Sequence, residues 1–575
     1  MNWTSEDLIP LEQLPDRLFR TRSGKMPHVL WGVPFSKKIF PGWKRQREPR
    51  SRETIETLFQ MARGKVPKNQ RWLRRAMLLQ TLREGLSDET FPWGPFAALA
   101  IVRACPVLNE DLLSLIFETA RGKVEESRRF SVVEEPWKAL LWRGELALTL
   151  AYIFPQAEEG TLWKEQAKQI VHEILSTGLH EDGHLKTSIL PISRILLASM
   201  LRMGWMFPEI FTPEAQKQRD AWIRNSLYLT RPDGSMVFTS PESACYNPEL
   251  FVAALQCDAS KEDKKLGVTI LPNLKTTKKI PNIQLPPESI VSETSQRGIL
   301  RQFWGGAGIF TRWDTLSTFM EFFLPQTPLL SGKWECSLYC KGVSLLPVGD
   351  WKMICWNTSP WAVYLELELP LMWGFKLQRQ FCLTRREEIA FWADTVFQPK
   401  GKVQEGPLEY AMSIPLYPGL TWTDNADSLE LKIAHPDGGK GTLLPLALPE
   451  WRTKLTPGED FTVKDGKLQG RLRTSQPSLY FPIFLDFSQR RVHSSLTWRQ
   501  LTVAEKLKKV DFSQASGFRI QIGEIQWLLY RSLAHPANRT ILGHNLQSES
   551  MLGRFMSTGE VHPLVEILGY QEENR

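Results

Sequence analysis

The sequence predicts an α+β multidomain chain, with an N-terminal (α/α) toroid of helical hairpins followed by a large antiparallel β-sandwich. Three observations lead there. Apolar residues recur three and four apart through the first half, the signature of amphipathic helices. A helix-plus-turn pattern repeats at a spacing near 50 residues, the length of one helical hairpin. After about residue 260 the period changes to two, in short segments punctuated by Gly, Asp and Pro, as in antiparallel sheets.

The helical segments read as Arg52–Arg63, Arg71–Glu84, Glu110–Ala120, Trp137–Phe154, Leu162–Ser176, Ile189–Met203 and Pro213–Tyr228. The repeat is seen by setting IVHEILSTGLHEDGHL (170–185) against WIRNSLYLTRPDGSMV (222–237): each is an amphipathic run ending in an Asp-Gly turn, with Asp182 and Asp233 51 residues apart. The stretch KKLGVTILPNLKTTKKIPNIQLPPE, rich in Lys, Pro and Asn, reads as a linker. Beyond it, TLSTFMEFF, WAVYLELEL, FKLQRQFCL, EIAFWADTV, SLYFPIFLDF, SLTWRQLTVA and GFRIQIG read as strands. The expected organisation is a basic N-terminal arm over 1–52, a toroid over 53–260, a linker over 261–294 and a sandwich over 295–575.

Composition bounds the function. With 575 residues, 42% of them hydrophobic and 23% charged, the chain is an ordinary globular one and not disordered or fibrous. Its 22 tryptophans supply flat apolar faces for cores or for sugar rings. The net charge of +8 is local: between Arg20 and Arg52 ten Lys and Arg face the single acid Glu48, and the rest of the chain is about neutral. That excludes a global affinity for nucleic acid. The arm, interleaved with Trp31, Phe35, Phe40 and Trp43, reads either as a grip on an anionic polymer or as an extended arm with solvated charges. The longest apolar stretch, Ile189–Phe207, carries Arg194 and Arg202, so no membrane span is expected. The start MNWTSEDLIPLEQLPDRLFR lacks a signal-peptide pattern, and with seven cysteines and no CxxC the expected location is the cytoplasm.

Two motifs invite chemistry. His180-Glu181-Asp182-Gly183-His184 matches H-E-x-x-H, but zinc binding by that motif needs both histidines on one helix face. Asp-Gly is a helix stop, and the same turn recurs at Asp233-Gly234 without histidine, so the motif is expected to cross a repeat turn and to bind no metal. The segment SPESACYNPELF (240–251) places Glu242, Tyr246 and Asn247 at the mouth of a hairpin. There Tyr246 reads either as a proton-transfer group or as an ordinary core-capping tyrosine. No nucleotide loop or GxSxG motif is present, and no cofactor is expected. Cys336 and Cys340, at even spacing on a strand, read as thiols sharing one face.

Taken together, helical hairpins, linker and sandwich, with DGS…SPxxxxY near the end of the helical part, resemble the heparinase II/III-like polysaccharide lyases. The runs GIFTRWDTLSTFMEFF, LYCKGVSLLPVGDWK and WAVYLELELPL…LQRQFCLTRREEIAFWADTV follow that family's sandwich in texture. The resemblance implies β-elimination at a uronic acid: a base removes the proton beside the carboxylate, an acid protonates the departing glycosidic oxygen, and a cation or amide neutralises the carboxylate. It implies that the family's tyrosine falls on Tyr246 and that Arg194, in Leu190-Pro191-Ile192-Ser193-Arg194, is the residue able to neutralise a carboxylate. The His-rich stretch of the family is TPLLSGKWE here, and no histidine lies between His184 and His435. The resemblance therefore implies an acidic polysaccharide or oligosaccharide as partner, met by a lyase with a degenerate site, a non-catalytic glycan-binding protein or an interaction platform.

Overall fold

A computed structural model describes residues 110–239, 248–256, 259–272, 274, 283–325, 327–398, 406–436, 438–534 and 537–568. The basic arm, the helices expected over 52–63 and 71–84, and Tyr246 lie outside the described residues. The chain divides into two compact units at Leu285–Pro286.

The described part of the first unit is helical: α1 Glu110–Glu126, α2 Pro136–Lys138, α3 Ala147–Ile153, α4 Gly160–Gly178, α5 Ser193–Met206, α6 Pro213–Tyr228, α7 Pro248–Gln256 and α8 Lys261–Ile270. A π-helical stretch, Ala139–Leu146, joins α2 to α3 in one continuous rod. The expected helical segments within the described residues are all present, with ends shifted by a few residues. The apolar stripe of α4 (Trp163, Ala167, Ile170, Val171, Ile174, Leu175) is the buried one, as its spacing predicts. Thr212 caps α6 by accepting from the Ala215 amide, with Pro213 at the first helical position. Ser260 caps α8 in the same way through Asp263, so a helix occupies the start of the stretch whose composition reads as a linker.

Helix α5 packs against the π-helical stretch, α3, α6 and α7. Thr187–Met206 is long and apolar enough to cross a membrane by length and composition, but 72% of that window is buried inside the protein. Its Arg202 is paired with Glu145 of the π-helical stretch, with one contact at 2.8 Å. The approach of α4 to α6 requires a glycine: a Cβ on Gly178 would lie 2.7 Å from the Trp222 ring. The Trp222 indole, in turn, donates to the Ser193 carbonyl at 3.1 Å.

The second unit is built from antiparallel sheets. A nine-stranded sheet runs in the order 290–292, 297–301, 308–312, 318–323, 328–340, 408–415, 467–474, 460–464, with 343–344 on the side of 328–340. An eight-stranded sheet runs 421–424, 431–434, 440–445, 479–486, 389–397, 376–384, 362–370, 352–358. A five-stranded sheet (496–501, 515–522, 525–532, 548–555, 561–568) and a small four-stranded one complete it. Cys336 and Cys340 lie on the strand Pro328–Cys340.

The eight-stranded sheet is covered on both faces. Phe381, Trp392 and Phe481 meet Trp334, Phe322 and Tyr410 of the nine-stranded sheet. From the opposite face, Tyr480 and Phe484 meet Phe518 and Trp527 of the five-stranded sheet. Hence Lys376–Thr384, Ile389–Phe397 and Leu479–Asp486 are buried almost end to end and read as continuous apolar runs rather than alternating ones.

Each face of this central sheet carries a buried ionic network. On one, Arg379 grips Asp394 in a bidentate pair (2.8 and 2.7 Å), Tyr410 donates to the same carboxylate at 2.8 Å, and the guanidinium stacks 3.8 Å from the Trp334 ring. Burial alone would lower the Arg379 pKa, but the Asp394 carboxylate holds it above its ordinary value. On the other, Arg531 donates to Glu366 and Gln378 at 2.6 and 2.5 Å. We predict that Asp394→Ala, which strands a buried guanidinium, destabilises the second unit by about 3–5 kcal/mol, whereas Arg379→Met with Asp394→Leu costs far less. Urea unfolding followed by near-ultraviolet circular dichroism checks both.

Candidate functional site

The two Asp-Gly turns are the same structure formed twice. After α4, Leu179 bridges Leu185, the His180 amide donates to the His184 carbonyl at 2.7 Å, and the Gly183 amide donates to the His180 carbonyl at 2.9 Å. After α6, Thr230 bridges Met236, the Arg231 amide donates to the Ser235 carbonyl at 2.8 Å, and the Gly234 amide donates to the Arg231 carbonyl at 2.9 Å. Asp182 and Asp233 each accept from the amide two residues on, at 3.1 and 2.8 Å. Gly183 and Gly234 stand at φ +79° and +84°, the left-handed conformation that closes such a three-residue loop. His180 and His184 are therefore the paired ends of a hairpin loop, not successive turns of a helix. Among the described residues no three His, Cys, Asp or Glu side chains gather as a metal site would require.

Arg194 lies in the first turn of α5 and is 9% exposed. Its guanidinium donates to Thr230 Oγ1 at 3.1 Å and sits 5.1 Å over the Phe251 ring of α7. Thr230 donates onward to the Ser226 carbonyl at 2.5 Å. The neighbouring Ser193 hydroxyl donates to the Leu190 carbonyl at 2.9 Å and lies 3.4 Å from Met236 Sδ. The start of α5 is thus fastened to the second hairpin by two consecutive side chains. Tyr246 belongs to 240–247, outside the described residues.

The structure adds Arg231, which the sequence reading did not single out. It is buried and donates to Ser235 Oγ at 2.9 Å and to the Thr239 carbonyl at 3.2 Å. The signal was present in the repeat: aligning Asp182 with Asp233 sets Arg231 against His180. Adjacent residues of the second hairpin thus carry a guanidinium, Arg231, bonded within the hairpin, and a hydroxyl, Thr230, that accepts from Arg194 of α5.

No protein-family model matches the sequence, and no curated protein matches it either. Solved structures do. A heparinase III gene product superposes with a TM-score of 0.56 at 12% identity, over 87% of this chain and 78% of the other. A mutant heparan sulfate lyase from Pedobacter heparinus gives 0.54 at 11% identity, over 86% and 85%. A further heparinase III gives 0.53 at 12%, over 84% and 82%. The chain has the heparinase III fold. Identity this low carries the fold and nothing finer. Against the heparinase III fold, the helices and the antiparallel sheets expected from the sequence take their places.

Backbone conformation offers a direct check on the hairpin. Gly183→Ala is expected to cost about 1 kcal/mol through its positive φ, since the nearest atom to the added Cβ is 3.7 Å away. Gly122→Ala, mid-helix with nothing near the added Cβ, should instead stabilise by about 0.5–1 kcal/mol. Opposite shifts in the thermal midpoint of the first unit are the expected outcome. Burial pushes the thiols of Cys336 and Cys355 up to about 11. Both should resist iodoacetamide at pH 8 until denaturant is added, as read by peptide mapping.

Proposed function

We propose that this chain is a heparinase II/III-like polysaccharide lyase homologue that engages an acidic, uronate-containing polysaccharide through a site lacking the family's histidines. The observation that carries the reading is the fold: agreement with a heparinase III structure extends over 87% of the chain, through helices and sheets alike. In this reading the helical hairpins continue through the residues before Glu110 and close an (α/α) toroid over 53–260, followed by the sandwich over 295–575.

Arg194 neutralises the uronate carboxylate, and Tyr246 exchanges a proton with the sugar. A guanidinium lowers the cost of the carbanion that forms when the proton beside the carboxylate leaves. Arg194 is suited to this because Thr230 and Phe251 hold it in one orientation. The chemistry also asks for a second proton-transfer group at the same sugar, and no histidine between His184 and His435 can provide it. Loss of one member of a cooperative set removes most of the rate. That absence favours a second reading, a non-catalytic glycan-binding protein.

Titration with heparan sulfate, together with ultraviolet detection of the unsaturated uronate product, separates the readings. We expect Arg194→Gln to weaken binding about 10-fold or more, as loss of a charge-assisted pair does. Elimination that is measurable and abolished by Tyr246→Phe identifies the enzyme. Equal affinity with no product in either form identifies the binding protein. No binding by the unaltered chain would leave the interaction platform.

A further inference from the structure

At the end of the helical unit away from the Asp-Gly hairpins lies a second set of groups that the lyase reading does not use. Glu145 of the rod meets Arg202 of α5, and four residues further along both, Thr149 meets Met206, so the rod ending in α3 and helix α5 run the same way and their ends come together. There Tyr152 meets Trp205 edge to face, with centroids 5.6 Å apart and planes at 64°, and meets Phe207 at 5.8 Å and 85°. Trp205 is 40% exposed, although it sits in a helix that is otherwise buried almost all round. The Lys164 ammonium of α4 stands 4.3 Å from the Phe207 centroid. Lys168 follows one turn along the same helix, on the same side. Among the described residues neither lysine has an ion-pair partner. Arg194 lies eleven residues back along α5, about 17 Å away at 1.5 Å per residue.

We propose that Tyr152, Trp205 and Phe207, with Lys164 and Lys168, form a binding site for an acidic sugar unit, separate from Arg194. The rings are fixed against one another before any ligand arrives, so the indole presents its surface at little entropic cost. A pyranose ring offers an apolar C–H face to such a platform. Its carboxylate or sulfate then lies within reach of the two ammonium groups. The aromatics account for the ring and the two lysines account for the charge, which is why the occupant is an anionic saccharide and not a neutral one. The site deepens the acidic-polysaccharide reading proposed above and rests on it for the ligand class: a long chain would be held at a second point remote from Arg194.

The test is isothermal titration of the full chain with a heparin octasaccharide, with a neutral cello-oligosaccharide as control, in the unaltered chain and in Arg194→Gln. We expect Arg194→Gln to retain a saturable, salt-sensitive octasaccharide site. In that background Trp205→Ala and, separately, Lys164→Gln weaken this site at least 10-fold, Lys164→Arg restores it, and the neutral oligosaccharide does not bind. If Arg194→Gln removes all binding while Trp205→Ala changes nothing, the second site is wrong and the proposed function stands. If Trp205→Ala and Lys164→Gln abolish binding while Arg194→Gln has no effect, the second site stands and the assignment of Arg194 falls. Absence of any octasaccharide binding overturns both. So would tighter binding of single-stranded DNA than of octasaccharide at these residues, or a dimer in light scattering that Trp205→Ala dissociates, overturn the sugar site.

Discussion

A buried charge must be paired where it lies, and the second unit is organised round that constraint. Arg379 and Asp394 are direct cross-strand neighbours in the central sheet, so their pairing is set by register before any other sheet arrives. The guanidinium then reaches out of its own sheet to Thr318 and to the Trp334 carbonyl at 3.1 Å, both in the nine-stranded sheet. A slip of one residue would turn both charges to the other face and leave them without these partners. On that other face Arg531 comes from the five-stranded sheet to find Glu366 and Gln378. Apolar packing brings the layers together without specifying position. The two arginines add position, since each finds acceptors in a neighbouring sheet in this register.

The helical unit solves a related problem with fewer charges. Helix α5 is apolar nearly all round, and a buried ion pair, Arg202 with Glu145, ties it to the π-helical stretch. At its first turn Ser193 and Arg194 engage the second hairpin, and at its last turn Met206 lies 3.9 Å from the Thr149 hydroxyl. One helix therefore makes contacts at both ends of the described helices. The hairpin end holds Arg194, Arg231 and the hydroxyls they bond, while the far end holds the exposed indole and the lysines. The same rigid element separates the two sets of groups.

Much of this was legible along the chain because it is local. Period, cap and turn signals are properties of a few consecutive residues, and they placed Gly160–Gly178, Pro213–Tyr228, Lys376–Thr384 and Ile389–Phe397 within a few residues of where they lie. The H-E-x-x-H string was recognisable as a turn for the same reason: Asp182-Gly183 dictates a left-handed glycine whatever surrounds it. The helix Lys261–Ile270 was hidden by its composition, since lysines on its solvent side look like a linker until Leu266 and Ile270 are seen to be buried.

What the sequence alone determined is therefore the order of elements, the change from helical to strand period, the repeated Asp-Gly hairpin and the family resemblance. Tertiary structure decided the rest. Nothing in the run of apolar residues through Phe381 or Phe484 says that a third layer covers the central sheet, because burial on both faces and an ordinary apolar strand look the same in one dimension. Nor could spacing show that Arg194 reaches Thr230, or that Tyr152 meets Trp205 and Phe207. These pairs lie 36, 53 and 55 residues apart in the chain and touch only once the helices have packed.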